Sequence, residues 1–337
     1  MKRIVITRTG KPDVLQVQES ADPSPGPGEV RIRVRAAGLN FADIMARKGL
    51  YPDAPALPCT VGYEVAGIVD AVGSQTDAHW LDGEVVALTR FGGQSDTVVV
   101  PIAHVFSKPA TMSFEQAAAL PVNYLTAWQL LVVMGSLNAG ETLLIHNAGS
   151  GVGLAAIDIA SHIGATIIGT ASARKHGFLQ ERGMHHGIDY RTEDWAPALQ
   201  RLTGNKGADL IIDPIGGDHF RKSYQHLRST GRLGMFGISS ASEGRGNKLS
   251  LVKMAVRTPF FHPFGLMNAN KGVFGVNLGH LWSEQEKVRH WMESIMAGFE
   301  AGWIRPHVDK VFAFAQAADA HRYVEARGNT GKVILVP

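Results

Sequence analysis

Residues 142–176, TLLIHNAGSGVGLAAIDIASHIGATIIGTASARKH, constrain the fold more than any other stretch of the chain. Thr142 to Ile145 is an apolar run with the length of a buried strand. A tight turn follows, Asn147-Ala148-Gly149-Ser150-Gly151-Val152-Gly153, and then Leu154, Ala155, Ile157, Ile159 and Ile163 recur at helical spacing. Ala165 to Ile168 reads as the next strand. Strand, glycine turn, helix and strand make one βαβ unit, in which backbone N–H groups and the positive end of a helix face a pyrophosphate. The helix is expected to start near Ser150–Gly151. The strict G-x-G-x-x-G pattern is not met, because its positions hold Ala148, Ser150 and Gly153. Small residues still permit a close backbone approach, so Gly149, Ser150, Gly151, Val152 and Gly153 are expected to bind the cofactor. Ser150 either crowds the pyrophosphate or hydrogen-bonds it.

The end of the second strand bears on which nicotinamide cofactor is used. NAD enzymes place an acid about 20 residues on, for the ribose hydroxyls. Here the segment is Gly169-Thr170-Ala171-Ser172-Ala173-Arg174-Lys175-His176, without an acid. Ser172, Arg174 and Lys175 suit a 2′-phosphate, which a carboxylate would repel. NADP(H) is therefore expected over NAD(H), with Ser172, Lys175 and Tyr190 on the 2′-phosphate.

With 337 residues the chain has room for two domains, and its net charge of +3 is too small and scattered to suggest nucleic acid. The single Cys59 excludes an internal disulfide and a multi-cysteine zinc site, and it fits a cytoplasmic protein. The start, Met1-Lys2-Arg3-Ile4-Val5-Ile6, reads as a strand and not as a signal peptide. Residues 117–135 carry no charge, but Pro121, Asn123, Thr126 and Gln129 interrupt them. A buried helix from Pro121 is expected there, and no stable membrane insertion.

Residues 1–110 read as β. Glu29 to Ala37 alternates Val30, Ile32 and Val34 with Arg31, Arg33 and Arg35, as a half-exposed strand does. Val65–Val69, Glu84–Leu88 and Asp96–Val100 follow, with a short helix near Phe41–Lys48. From about residue 123 strands and helices alternate, with strands at Ala208–Asp213, Arg232–Phe236 and Val273–Val276 and a last helix at Glu284–Ala301. That rhythm predicts an α/β doubly wound parallel sheet with ligands beyond its carboxyl ends. The tail, Val308–Phe314, Ala317–Glu325 and Lys332–Val336, is expected to return to the first domain. The boundaries expected are 1–122, completed by 305–337, and 123–304. The stretch 241–248 reads as a Ser/Gly-rich loop. The aromatic stretch 259–267 suits either packing under that loop or the wall of an apolar pocket.

The plan resembles the medium-chain dehydrogenase/reductases. Gly38-Leu39-Asn40-Phe41-Ala42-Asp43, Gly49-Leu50-Tyr51-Pro52, residues 148–153 and Gly331-Lys332-Val333 are similar to the quinone oxidoreductase branch. Gly38 to Tyr51, Gly169 to His176 and Ile304 to Asp309 most resemble its vesicle amine transport protein subgroup, the synaptic vesicle membrane protein homologues. The resemblance implies a GroES-like β catalytic domain, a Rossmann cofactor domain and a homodimer. It puts Asn40 and Thr126 beside the nicotinamide, and Asn277 is counted with the cofactor-binding residues. Asn40 also suits a helix cap.

The zinc alcohol dehydrogenases of this superfamily carry Cys where this chain has Asn40, His where it has Tyr63, and a four-Cys lobe that it lacks. No metal is therefore expected. The fourteen His do not compensate, since His185 and His186 are adjacent and no ligand pair with an acid shows a metal-binding spacing. Hydride transfer from NADPH to an electrophilic acceptor follows, with Tyr51 and Tyr63 hydrogen-bonding the substrate oxygen. Three functions fit: a quinone reductase, an enoyl or alkenal reductase, and a non-catalytic nucleotide-binding protein acting at membranes.

Overall fold

The computed structural model describes residues 1–242 and 248–337. The loop expected at 241–248 therefore lies, over 243–247, outside the described residues. The chain divides into two compact units, Met1–Leu125 with Gly279–Ala301 and Pro306–Pro337, and Thr126–Leu278 with Gly302–Arg305. The division differs from the expected one in that the helix Gln285–Glu300 clusters with the first unit.

The first unit is built on the long strand Glu29–Leu39, whose alternation puts Val30, Ile32 and Val34 inside. Arg31 and Arg33 on its other face both reach Asp70, at 2.8 and 2.5 Å. Glu64–Val72 and Thr97–Pro101 both pair antiparallel with this strand. Glu84–Leu88 and Val105–Ser107 extend the sheet. The tail does return here. Lys332–Val336 pairs antiparallel with the C-terminal end of Glu29–Leu39 and parallel with Val308–Ala313. Val65, Val69, Val85, Val98, Val100 and Val105 close the core between strands. Their burial contributes about 1.5–3 kcal/mol each, gross of conformational entropy.

The second unit is a six-stranded, all-parallel sheet in the order His186–Ile188, Thr166–Thr170, Thr142–Ile145, Ala208–Asp213, Leu227–Met235, Gly272–Gly275. The chain builds outward from Thr142–Ile145 to one edge and then crosses back to Ala208–Asp213. The strand order therefore reverses between those two neighbours, where ligands of such sheets bind. Leu143, Leu144, Ile145, Ile167, Ile168 and Leu210–Ile212 are buried, as strands covered on both faces require. Ser150 caps the helix Gly151–Ile163, its Oγ accepting from the Gly153 N–H at 3.1 Å. Gly164, at φ 87°, ends it.

The uncharged stretch 117–135 holds the end of the helix Phe114–Ala118, the helix Pro121–Trp128 and a π-turn, Gln129–Val133. Among the described residues no helix is long and apolar enough to cross a membrane.

Candidate functional site

In the second unit the glycine turn is strapped to the neighbouring strand. The Asn147 N–H donates to Thr170 Oγ1 at 3.2 Å and the Ala148 N–H to the Thr170 carbonyl at 3.0 Å. A Cβ on Gly153 would lie 2.4 Å from the Ala148 carbonyl oxygen, so the helix can start this close to the strand only with glycine there. The turn thus presents the N-terminal end of the helix, with Gly151 and Val152 only partly buried. Ser150 Oγ serves as the helix cap. It takes up the Gly153 N–H at the first turn of the helix.

Lys175 stands over the same turn. A Cβ on Gly149 would lie 2.7 Å from Lys175 Cδ and 3.3 Å from its Nζ. Ser172, buried, precedes the 3₁₀ turn Ala173–Lys175, and its carbonyl accepts from the Lys175 N–H at 2.9 Å. Ser172 and Lys175 follow the strand Thr166–Thr170. Tyr190, exposed, follows the edge strand His186–Ile188. Asn277, exposed, follows the opposite edge strand Gly272–Gly275. All lie beyond the carboxyl ends of one sheet. Thr126 is buried in the helix Pro121–Trp128.

In the first unit Asn40 caps the helix Phe41–Arg47, and Asp43 accepts from the Asn40 N–H at 2.7 Å and from the Gly62 N–H at 3.0 Å. Burial pushes the Asp43 carboxyl up to about 7 against these two donors. The Asn40 side chain belongs to a buried ionic group. Lys332 Nζ donates to Asn40 Oδ1 at 2.6 Å and pairs with Glu64 Oε1, to which Asn40 Nδ2 donates at 3.0 Å. Glu64 Oε2 accepts from the Val122 N–H at 2.7 Å. Both partners of the ion pair are almost wholly buried, Lys332 at 3% and Glu64 at 0% exposure.

Tyr51 and Tyr63 meet edge to face, their ring centroids 6.2 Å apart, and Phe91 lies 5.5 Å from Tyr63. Burial raises both phenols above their ordinary range. The Tyr63 hydroxyl is buried, with the Tyr51 phenol beside it. Cys59 is half-buried, and desolvation raises its thiol.

Sequence reasoning missed Glu64 and Lys332 as partners of Asn40, although Lys332 stands in a quoted segment and Glu64 is the neighbour of Tyr63. It also found no metal-ligand grouping with an acid, whereas the fold brings His146, Asp213 and His219 together at the carboxyl end of the second sheet. The aromatic stretch divides. Phe261 packs on Tyr224 at 5.1 Å, while Phe260, Phe264 and Met267 are exposed.

Two family models match the chain, "alcohol dehydrogenase GroES-like domain" over residues 26–110 and "zinc-binding dehydrogenase" over residues 182–335. The human synaptic vesicle membrane protein VAT-1 homolog is 39% identical over 345 aligned residues, covering 100% of this chain and 86% of that protein. Escherichia coli quinone oxidoreductase, solved in complex with NADPH, superposes with a TM-score of 0.88 at 29% identity over 100% of both chains. The CurK enoyl reductase superposes at 0.86 with 28% identity, over 99% of this chain and 98% of that one. With a GroES-like sheet, a parallel nucleotide-type sheet and relatives of this likeness over its whole length, the chain belongs to the quinone oxidoreductase-like branch of the medium-chain dehydrogenase/reductases, in the company of the VAT-1 homologues.

Proposed function

We propose that the protein is an NADPH-dependent, zinc-independent reductase of electrophilic small molecules, with a quinone as the acceptor. The buried Lys332–Asn40–Glu64 group carries this reading. An ammonium in contact with Asn40 opposes a divalent cation, and an amide and a protonated phenol, Asn40 and Tyr63, are poor zinc ligands. Alcohol oxidation then lacks a Lewis acid, and an acceptor that is already electrophilic is favoured.

On this reading residues 1–122 and 305–337 form the catalytic part and 123–304 the cofactor part. When bound, NADPH supplies the hydride. Gly149, Ser150, Gly151, Val152 and Gly153 wrap the pyrophosphate, with the N–H groups of Gly151 and Val152 donating. Lys175, Ser172 and Tyr190 hold the 2′-phosphate, and the ammonium already lying over Gly149 supports this assignment. Asn40 and Thr126 border the nicotinamide, as the resemblance implies, and Asn277 is a further cofactor-binding residue. Tyr51 and Tyr63 stay protonated at neutral pH and donate to the substrate oxygen as negative charge develops there. The quinol takes its protons from water, so no dedicated general acid is needed. The protein acts in the cytoplasm as a homodimer. The likeness to the CurK enoyl reductase favours a second reading, reduction of a carbon–carbon double bond conjugated to a carbonyl.

The test is NADPH oxidation with an ortho-quinone, a naphthoquinone and an enone. Quinone turnover that falls in Tyr63→Phe supports the first reading, and faster enone turnover the second. Tight NADPH binding with no turnover of any of the three would leave the non-catalytic, membrane-acting reading.

A further inference from the structure

The second unit contains a polar cluster that the reductase reading does not use. His146 follows the strand Thr142–Ile145, Asp213 ends the strand Ala208–Asp213, and His219 and Ser223 lie on the helix Asp218–Gln225. Their side chains converge beyond the ends of the two strands between which the sheet order reverses. One nitrogen of each imidazole and one Asp213 oxygen all lie within 4.8 Å of one another. Asp213 Oδ2 accepts from Ser223 Oγ at 2.7 Å and from His219 Nδ1 at 2.6 Å, while Oδ1 accepts from the Ile215 N–H at 2.8 Å. His146 has Nε2 3.3 Å from Ser223 Oγ and Nδ1 3.3 Å from Thr170 Oγ1. Trp195 packs against both imidazoles.

We propose that His146 Nε2, Asp213 Oδ2 and His219 Nδ1 form a binding site for one divalent transition-metal ion of the Zn²⁺ class. Two imidazoles and one carboxylate are the donor set such an ion takes, whereas Mg²⁺ and Ca²⁺ prefer oxygen throughout. A 2+ ion would also balance the buried Asp213 charge. Loading needs no large movement. The His219 proton shifts from Nδ1 to Nε2, and His146 takes its proton on Nδ1, where Thr170 Oγ1 accepts it. Thr170 then becomes the outer partner that orients a ligating imidazole. Lys222 is the opposing charge nearby, over the Trp195 ring at 4.9 Å, and it is paired with Asp194. The His219 side chain is 19% exposed, which opens a route from solvent. Ser223 or water completes a tetrahedral shell. Thr170 Oγ1 also accepts from the Asn147 N–H, so the ion would brace the first residue of the glycine turn.

The experiment takes full-length protein stripped with a chelator and titrates it with Zn²⁺ and, separately, Co²⁺. The expected result is one tight equivalent per chain, with Co²⁺ giving the visible absorption of a tetrahedral nitrogen and oxygen site. Removing one ligand in His219→Ala or Asp213→Asn should weaken binding more than about 100-fold, and Thr170→Val about tenfold. His262→Ala, which removes an exposed imidazole elsewhere, should change nothing. Circular dichroism checks that the variants fold, and His219→Ala at the partly exposed corner is the mildest. Equal stoichiometry and affinity in wild type and His219→Ala would overturn the proposal. So would a tight equivalent lost only when His185 and His186 are replaced.

Discussion

Replacing Lys332 by Met tests the buried ionic group by itself. Methionine keeps most of the apolar stem and deletes the ammonium. At contact distance and an effective dielectric of about 20, the lost attraction to Glu64 is roughly 6 kcal/mol gross. Desolvation of both groups cancels much of that in the native protein. The variant, however, leaves a carboxylate with 0% exposure that has lost its cationic partner and keeps only the N–H donors of Val122 and Asn40. Breaking a buried pair in this way costs about 3–5 kcal/mol. Asn40 also loses the donor to its Oδ1, about 1 kcal/mol more. Urea unfolding of wild type, Lys332→Met, Glu64→Gln and the double variant reads these numbers. Lys332→Met should lose about 4–6 kcal/mol, and adding Glu64→Gln should restore more than half of it, because the buried charge is then gone. A loss under about 1 kcal/mol, or a double variant no more stable than Lys332→Met, would mean that the Lys332–Glu64 pair does not hold the tail strand in place.

Gly153→Ala should lose nucleotide binding together with about 1–3 kcal/mol of stability, since its Cβ would meet the Ala148 carbonyl. Unfolding and NADPH titration read both, and unchanged binding would mean that the turn is not the cradle. Tyr63→Phe should change stability by about 1 kcal/mol at most, because the buried hydroxyl has only the Tyr51 phenol beside it, while quinone turnover falls about 10–100-fold. Calorimetry and steady-state rates separate the two effects. The Asp43 carboxyl is raised from its ordinary 3.8 to about 7. The folded protein therefore keeps that proton where the unfolded chain has lost it, and this contribution to stability is present below about pH 4 and lost as pH rises to about 7. Asp43→Asn should flatten stability between pH 5 and pH 7, and an unchanged slope would assign the pH dependence to other groups.

Much of the fold is legible because its signals are local. Ala208–Asp213, Ala317–Glu325 and Lys332–Val336 begin and end where the pattern puts them, each an unbroken apolar or helical period between breakers. The strand His186–Ile188 was missed because His186 and Gly187 carry no apolar period and only Ile188 is buried. The π-turn Gln129–Val133 has no composition that distinguishes it from helix. The glycine turn and Lys175 are readable because strand, turn, helix and strand are contiguous. The ionic group is not, since Lys332 is 292 residues from Asn40 and no spacing links them until the tail pairs with Glu29–Leu39. His146, Asp213 and His219 were invisible for the same reason, although Asp213 and His219 lie at opposite ends of one strand-to-helix turn. In the aromatic stretch, sequence alone does not tell the packed Phe261 from the exposed Phe260 beside it.

The affinity of NADPH and of NADH for wild type and for Lys175→Ala, measured calorimetrically, tests the cofactor assignment. Wild type should prefer NADPH, and Lys175→Ala should weaken NADPH by about 10–100-fold, the worth of one charge-assisted hydrogen bond, while NADH is unaffected. Equal affinity of wild type for the two nucleotides, or a Lys175→Ala variant that keeps the preference, would contradict it.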